Sequence, residues 1–319
     1  MTTINAPLTH GQLKGDLGFD FVYAEQEILE ELQDRLSVMS LLPLVGDVAG
    51  TGSDTLRITN MGNVGFSVRM DALATETSRI TPKTITTGYS TVTTGQYGLA
   101  HSESYRAQNL GREPGVRLES LKAQVPNSFM ATLRYLTCVE GSTFAGTAVG
   151  STSQQLAVDD ILDYATILRE TLGSGVRGNP VAMLSPQQVT QLLNSAKAHP
   201  AYQNSIADFT SVQGLDFRQQ IDNFLGLGFN VLMTDDVQQS GGAYRGFGFS
   251  PGGIGWAVAS SSNIVTANPA MYIPQFGMLI EDLTEGGATA ERIYNARAEF
   301  GVAKGDGTMH VQTPILSVV

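Results

Sequence analysis

The sequence lacks the cysteines that a disulfide-bonded or zinc-binding protein needs. Cys138 is the only cysteine among 319 residues, which excludes an intramolecular disulfide and a zinc site built on several cysteines. No histidine lies near it in the sequence to activate a thiol as a nucleophile. We therefore expect Cys138 to be a small, buried apolar residue.

Long apolar runs are also missing. None approaches the roughly 20 residues that span a bilayer. The first five residues, Met1-Thr2-Thr3-Ile4-Asn5, are polar, whereas a secretion signal joins a basic region to an apolar one. We expect a protein that is made and kept in a cytoplasm, with no membrane partner.

An excess of basic residues is absent as well, since the net charge is −11. Residues 1–50 hold eight acids and two bases, residues 51–140 hold seven and nine, and residues 141–319 hold fifteen and eight. A protein that binds nucleic acid by neutralising phosphates needs a basic face. The charge balance argues against such binding, and the mixed charges of residues 51–140 favour contacts between subunits.

Catalytic motifs are not found. There is no glycine-rich loop followed by Lys-Ser or Lys-Thr and no Gly-x-Ser-x-Gly elbow. Two aspartate pairs, Asp159/Asp160 and Asp235/Asp236, are better explained as a helix N-terminus and a strand-end turn than as a metal or catalytic site. The histidines are widely separated: His10, His101, His199 and His310. We predict no catalytic residue, no cofactor and no metal, and an enzyme remains the less favoured alternative.

The N-terminal third contains an arm, a helix and a β-rich segment. Residues 1–20 have few apolar residues in any period, which indicates an arm that orders only against a neighbour. Residues 21–43 show a helical apolar stripe with an acidic opposite face, ended by Pro43. Residues 44–105 are rich in β-branched residues and have few large side chains. Because a free hairpin of this composition is marginal, we expect a partner chain to stabilise it.

The remainder contains a long helix, an α/β region and a closing pair of strands. Apolar residues spaced by three or four predict a helix over residues 112–138, which Pro126 should kink or break. Alternating helices and strands predict a compact α/β domain over residues 155–285. Residues 291–302 and 309–319 alternate as strands, and Lys304-Gly305-Asp306-Gly307 between them predicts a hairpin loop.

The order of these parts resembles that of HK97-like major capsid proteins of tailed bacteriophages over essentially the whole chain. Several short stretches of the sequence are also similar to those of the family. These stretches are Asp54-Thr55-Leu56-Arg57-Ile58, Gln96-Tyr97-Gly98-Leu99-Ala100, Arg292-Ile293-Tyr294-Asn295-Ala296-Arg297 and Phe300-Gly301-Val302-Ala303, with Glu76 near the predicted hairpin tip.

The resemblance implies an α+β, HK97-like capsid fold. Its parts would be an N-arm (1–20), an N-terminal helix (21–43), an extended β-hairpin or E-loop region (44–105), a P domain with the long spine helix (106–154), an α/β A domain (155–285) and C-terminal strands of the P domain (286–319). The E-loop would reach over an adjacent subunit. Four tip charges are then candidates for contacts between subunits: Arg69, Glu76, Arg79 and Lys83.

The function that the resemblance implies is self-assembly into pentamers and hexamers of an icosahedral head enclosing packaged double-stranded DNA. The partners would be copies of the chain itself and a portal protein, with scaffold or decoration proteins as further candidates. DNA would lie nearby without specific contacts. The location would be the virion capsid, assembled in the host cytoplasm. An encapsulin-type nanocompartment shell, which shares the fold, is the alternative.

Overall fold

The computed structural model describes Leu42 and residues 44–49, 51–61, 87–104, 114–172, 180–198, 229–260, 270–273, 276–285, 291–305 and 310–319. This part of the chain contains three helices and three sheets. The helices are α1 (Pro114–Ser142), α2 (Val158–Leu172) and α3 (Pro186–Ala198). The predicted N-arm and the predicted N-terminal helix, apart from Leu42, lie outside the described residues.

The first sheet has six strands in the order β1-β10-β13-β12-β11, with β4 paired to β13. Its strands are β1 (Leu44–Asp47), β4 (Gly95–Ser104), β10 (Ile254–Val258), β11 (Ala270–Ile273), β12 (Met278–Glu285) and β13 (Glu291–Lys304). Only β1 runs parallel to its neighbour, β10, among the described pairs of this sheet. Chain segments from both ends of the sequence therefore meet in one sheet.

The second sheet also has six strands, in the order β5-β14-β9-β6-β7, with β8 paired to β9. Its strands are β5 (Val149–Gly150), β6 (Val181–Leu184), β7 (Asn230–Met233), β8 (Gln239–Ser240), β9 (Ala243–Phe249) and β14 (Gln312–Val318). The parallel pair β6 and β7 is the βαβ-like part predicted from the alternating pattern.

The predicted C-terminal hairpin is wrong. The strands β13 and β14 form as expected, but β13 pairs in the first sheet and β14 pairs with β9 and β5 in the second. Residues 291–298 have β12 on one edge and β4 on the other, and residues 300–304 pair with β10. The part of β13 next to the predicted loop is therefore paired within the first sheet and not with β14. The predicted α/β domain (155–285) does not correspond to one sheet. Its residues supply strands to both sheets.

The predicted long helix is confirmed as α1, which begins at Pro114 and runs four residues past the predicted end at 138. Pro126 is buried inside the helix, and the helix continues through it without a break. The apolar face of α1 packs on the main core between the two sheets, where Phe129, Leu133 and Cys138 are all buried. The helix thereby joins the first sheet to the second.

A second core lies between the second sheet and the helices α2 and α3. It contains Tyr164 from α2, Leu192 from α3 and Ile315 from β14, each at most 1% exposed. The strand β14 alternates buried and half-buried residues, because successive side chains of a strand point to opposite faces of the sheet. The glycine at 248 permits this packing, because a Cβ there would lie 2.3 Å from the Tyr164 ring.

Candidate subunit interface

The predicted E-loop region (44–105) is not one hairpin in its described part, since β1 and β4 belong to the first sheet. Between them lies a two-stranded antiparallel ribbon. It consists of β2 (Thr55–Met61) and β3 (Thr87–Thr93), which pair in seven registered positions from Thr55↔Thr93 to Met61↔Thr87. Residues 62–86 lie between the strands and outside the described residues. The four predicted tip charges, Arg69, Glu76, Arg79 and Lys83, fall in that segment, and their role stays a prediction.

The base of the ribbon is fixed to the first sheet by a small apolar cluster. Val92 is fully buried and packs with Val48 and Ala257, with Leu56 beside them. The Thr94 N–H donates to the Asp54 carbonyl at 2.8 Å and closes the base. Gly301 allows this close approach to β13, because a Cβ there would lie 2.1 Å from the Thr93 carbonyl oxygen. The ribbon therefore leaves the body of the subunit in a defined direction.

One face of the ribbon carries an exposed aromatic residue stacked with a cation. The Arg57 guanidinium lies 3.7 Å from the centroid of the Tyr89 ring, and Tyr89 is 61% exposed. Thr55, Thr91 and Thr93 are exposed beside them. We call these five residues the Arg57–Tyr89 face. The sequence alone does not indicate this pair, because only the register between β2 and β3 brings the two side chains together.

A groove of about 720 Å³ lies between the ribbon, α1 and the end of β13. Tyr89, Leu136 and Glu140 are among its lining residues, together with residues 301–305. Lys304 is at this edge of β13, and its ammonium donates to the carbonyl of Thr143 at 3.2 Å and to its hydroxyl at 3.1 Å. The groove is open to solvent and has both polar and apolar walls, as a contact surface for another chain does.

One member of each aspartate pair, Asp160 and Asp236, has the structural role predicted for the pair. The Asp160 carboxylate accepts a hydrogen bond from the Ala157 N–H at 2.7 Å, which caps the start of α2. Asp236 follows β7, where its N–H donates to the Thr234 hydroxyl at 3.2 Å and its carboxylate accepts from Arg134 of α1. Within the described residues, no group of three or more metal-ligating side chains is found.

Cys138 is buried, as predicted, and poorly suited to nucleophilic chemistry. Burial, and after it the nearby Asp236 carboxylate, raise the pKa of its thiol to about 12 against an opposing effect of Arg134. At neutral pH the thiolate form, which is the reactive one, is therefore scarce. Among the described helices, none has the length and apolarity of a membrane-crossing segment.

The sequence and the architecture can be compared with those of known proteins. No family model matches the sequence, and no curated protein matches it. Solved structures do match. The capsid of Helicobacter pylori bacteriophage KHP30 is 9% identical over 89% of this chain and 91% of that chain, with a TM-score of 0.54.

Two further matches are of the same kind. The capsid of a native GTA particle is 11% identical over 89% of this chain and 90% of that chain, with a TM-score of 0.54. The capsid of Ralstonia phage GP4 is 12% identical over 86% and 85%, with a TM-score of 0.51. The chain thus has an HK97-like capsid fold.

Proposed function

We propose that this chain is the major capsid protein of a tailed bacteriophage. Copies of it assemble into pentamers and hexamers, and these close into an icosahedral head around packaged double-stranded DNA. The observation that supports the proposal is a fold shared with phage capsid subunits over 85% or more of both chains, so the likeness covers the whole subunit rather than one layer of it.

The surfaces of the subunit are consistent with this function. The ribbon projects from the first sheet with only two strands, and such a ribbon is marginally stable unless something packs on it. Large apolar side chains are exposed on separate elements, among them Tyr135 on α1 and Met233 at the end of β7. In a shell, neighbouring copies cover such positions, and many modest contacts per subunit add up in a closed assembly.

The parts that the resemblance implies are included in the proposal. Residues 1–20 act as an N-arm, and the segment around residues 44–105, with Arg69, Glu76, Arg79 and Lys83 towards its tip, acts as an E-loop that contacts an adjacent copy. The portal protein, and a scaffold or decoration protein, are further partners. The net charge of −11 favours loose packing of DNA against the shell wall, because like charges repel.

The test is electron microscopy of the purified recombinant chain combined with light scattering. We expect closed shells or capsomer rings. A chain that stays monomeric, even with the other head proteins added, would contradict the proposal.

An encapsulin-type compartment is distinguished by its contents. Particles from the native source are treated with nuclease, opened and analysed for DNA and protein. Protected double-stranded DNA is the expected content. An enclosed enzyme without DNA would instead identify a cargo compartment.

A further inference from the structure

The Arg57–Tyr89 face has the composition of a protein-contact site. Tyrosine and arginine are the residues that most often dominate binding energy at interfaces. Tyr89 exposes most of its surface although its strand is anchored by the buried Val92. The stack at 3.7 Å holds both side chains in place before any partner arrives, which lowers the entropy cost of binding. The ribbon therefore presents a pre-formed surface.

The chemistry of this face favours an acidic partner. A guanidinium over an aromatic ring can also present its N–H groups to a carboxylate in a bidentate contact. Among the described residues, no carboxylate forms a salt bridge with Arg57. The threonine hydroxyls around it add hydrogen-bonding groups without charge. A segment with carboxylates and neighbouring apolar residues could bind both groups, the carboxylates at the Arg57 guanidinium and the apolar residues at the Tyr89 ring.

The chain itself contains such a segment. Residues 16–34 hold seven acids and no base, with leucines, phenylalanine and other apolar residues between them. Residues 55–93, which include the ribbon, hold four bases and two acids. In an assembly of identical copies the acidic segment is present once for every ribbon, so no other partner has to be supplied.

We propose that the Arg57–Tyr89 face binds the acidic segment 16–34 of a second copy of this chain. This inference rests on the proposed shell function and adds a defined contact to it. Because the contact is charge-assisted at an exposed site, salt weakens it. Assembly that depends on it slows as ionic strength rises.

A photo-crosslinker on the face identifies the occupant directly. The amino acid p-benzoylphenylalanine replaces Thr91, which is exposed on this face and paired in register with Arg57, while Arg57 and Tyr89 themselves are unchanged. Chains labelled with nitrogen-15 are mixed with unlabelled chains before assembly, and mass spectrometry of the crosslinked peptides separates links between copies from links within one. The same crosslinker at Thr166, exposed on α2, is the control position.

We expect mixed-isotope crosslinks from position 91 to peptides within residues 16–34, and none to that segment from position 166. If shells form but the crosslinks from position 91 reach other peptides, or reach residues 16–34 only within the same copy, this inference is wrong. The proposed shell function would then still stand. A chain that forms no shell under any condition would overturn both.

Variants test the energetics separately. Arg57→Glu should slow assembly by about tenfold, since loss of one interface anchor costs at least that factor, and it should remove most of the salt dependence. Tyr89→Ala should have a similar effect, whereas Tyr89→Phe keeps the ring and should assemble at close to the original rate. Equal assembly rates for Arg57→Glu and the unaltered chain would contradict the proposal.

Discussion

At the scale of single residues, Asp47 joins the loop after β1 to the loop after β10. Its carboxylate accepts hydrogen bonds from the N–H groups of Ala49 at 2.8 Å and Ser260 at 2.9 Å, and from the Ser260 hydroxyl. Burial acts to raise the pKa of Asp47, but these donors outweigh it and hold the pKa below its ordinary value of 3.8. The hydrogen bonds that join the two loops therefore depend on the charged form of Asp47.

Asp47 should make subunit stability depend on acidity. Because its pKa is lower in the folded chain than in the unfolded one, the charged form stabilises the fold above pH 3.8, and this contribution is lost as the pH falls through the folded value. Asp47→Ala should thus unfold at lower urea concentration at neutral pH, with the difference vanishing in acid. Urea unfolding over a pH series measures it. Asp54→Ala is the control, since Asp54 bonds to Thr94 through its backbone carbonyl. If the difference in urea midpoint between Asp47→Ala and the unaltered chain did not change with pH, the argument would be contradicted.

At the scale of elements, the start of α3 shows how local and long-range bonds combine. Ser185 and Gln188 form a reciprocal capping box, in which each side chain bonds the other's N–H at 3.1 Å. The Gln188 amide also donates to the Ile315 carbonyl of β14 at 3.0 Å. Ser185 followed by Pro186 is itself typical of a helix start, whereas the bond to β14 depends on the tertiary fold.

Removing this cap should destabilise the subunit measurably. Ser185→Ala leaves the Gln188 N–H buried without its partner, and the expected cost is about 1–2 kcal/mol of unfolding free energy. Thr190→Ala on the exposed side of the same helix should change stability by less than about 0.5 kcal/mol. Chemical denaturation of the two variants side by side measures the difference, and equal stabilities would show that the cap is not significant here.

At the scale of the whole molecule, α1 holds the two sheets together. Phe129 lies edge-on to Phe276 with ring centroids 5.6 Å apart, and its ring is 4.7 Å from that of Phe300 in β13. Further along the helix, Arg134 pairs with Asp236 after β7 of the second sheet. A shell subunit can transmit force between its neighbours only if its layers stay packed together, so the core along α1 is essential to the proposed shell.

Truncating the core along α1 should unfold the subunit before it affects any interface. Phe129→Ala removes a ring that is only 5% exposed, at an expected cost of about 3–5 kcal/mol. Tyr135→Ala on the same helix removes a ring that is 49% exposed and should cost the isolated subunit far less. Thermal unfolding of soluble subunits checks this. A smaller loss for Phe129→Ala than for Tyr135→Ala would mean that the core lies elsewhere.

Several features of this protein are determined by the sequence alone. The apolar spacing of residues 112–138 predicts α1, Ser185-Pro186 predicts the start of α3, and period-two alternation predicts β13 and β14 individually. These are short-range properties, in which hydrophobic period, caps and turn residues act within a few positions of one another. Their order along the chain was sufficient to indicate the capsid fold.

Strand pairing was decided only by the tertiary structure. The turn chemistry at Lys304 predicts a hairpin, yet β13 pairs with β4, β10 and β12 in the first sheet and β14 pairs with β5 and β9 in the second. The partner of β2 is β3, beyond residues 62–86, and this register alone places Arg57 on Tyr89. Backbone hydrogen bonds between strands carry little sequence information, so which edges meet depends on the free energy of packing the whole core.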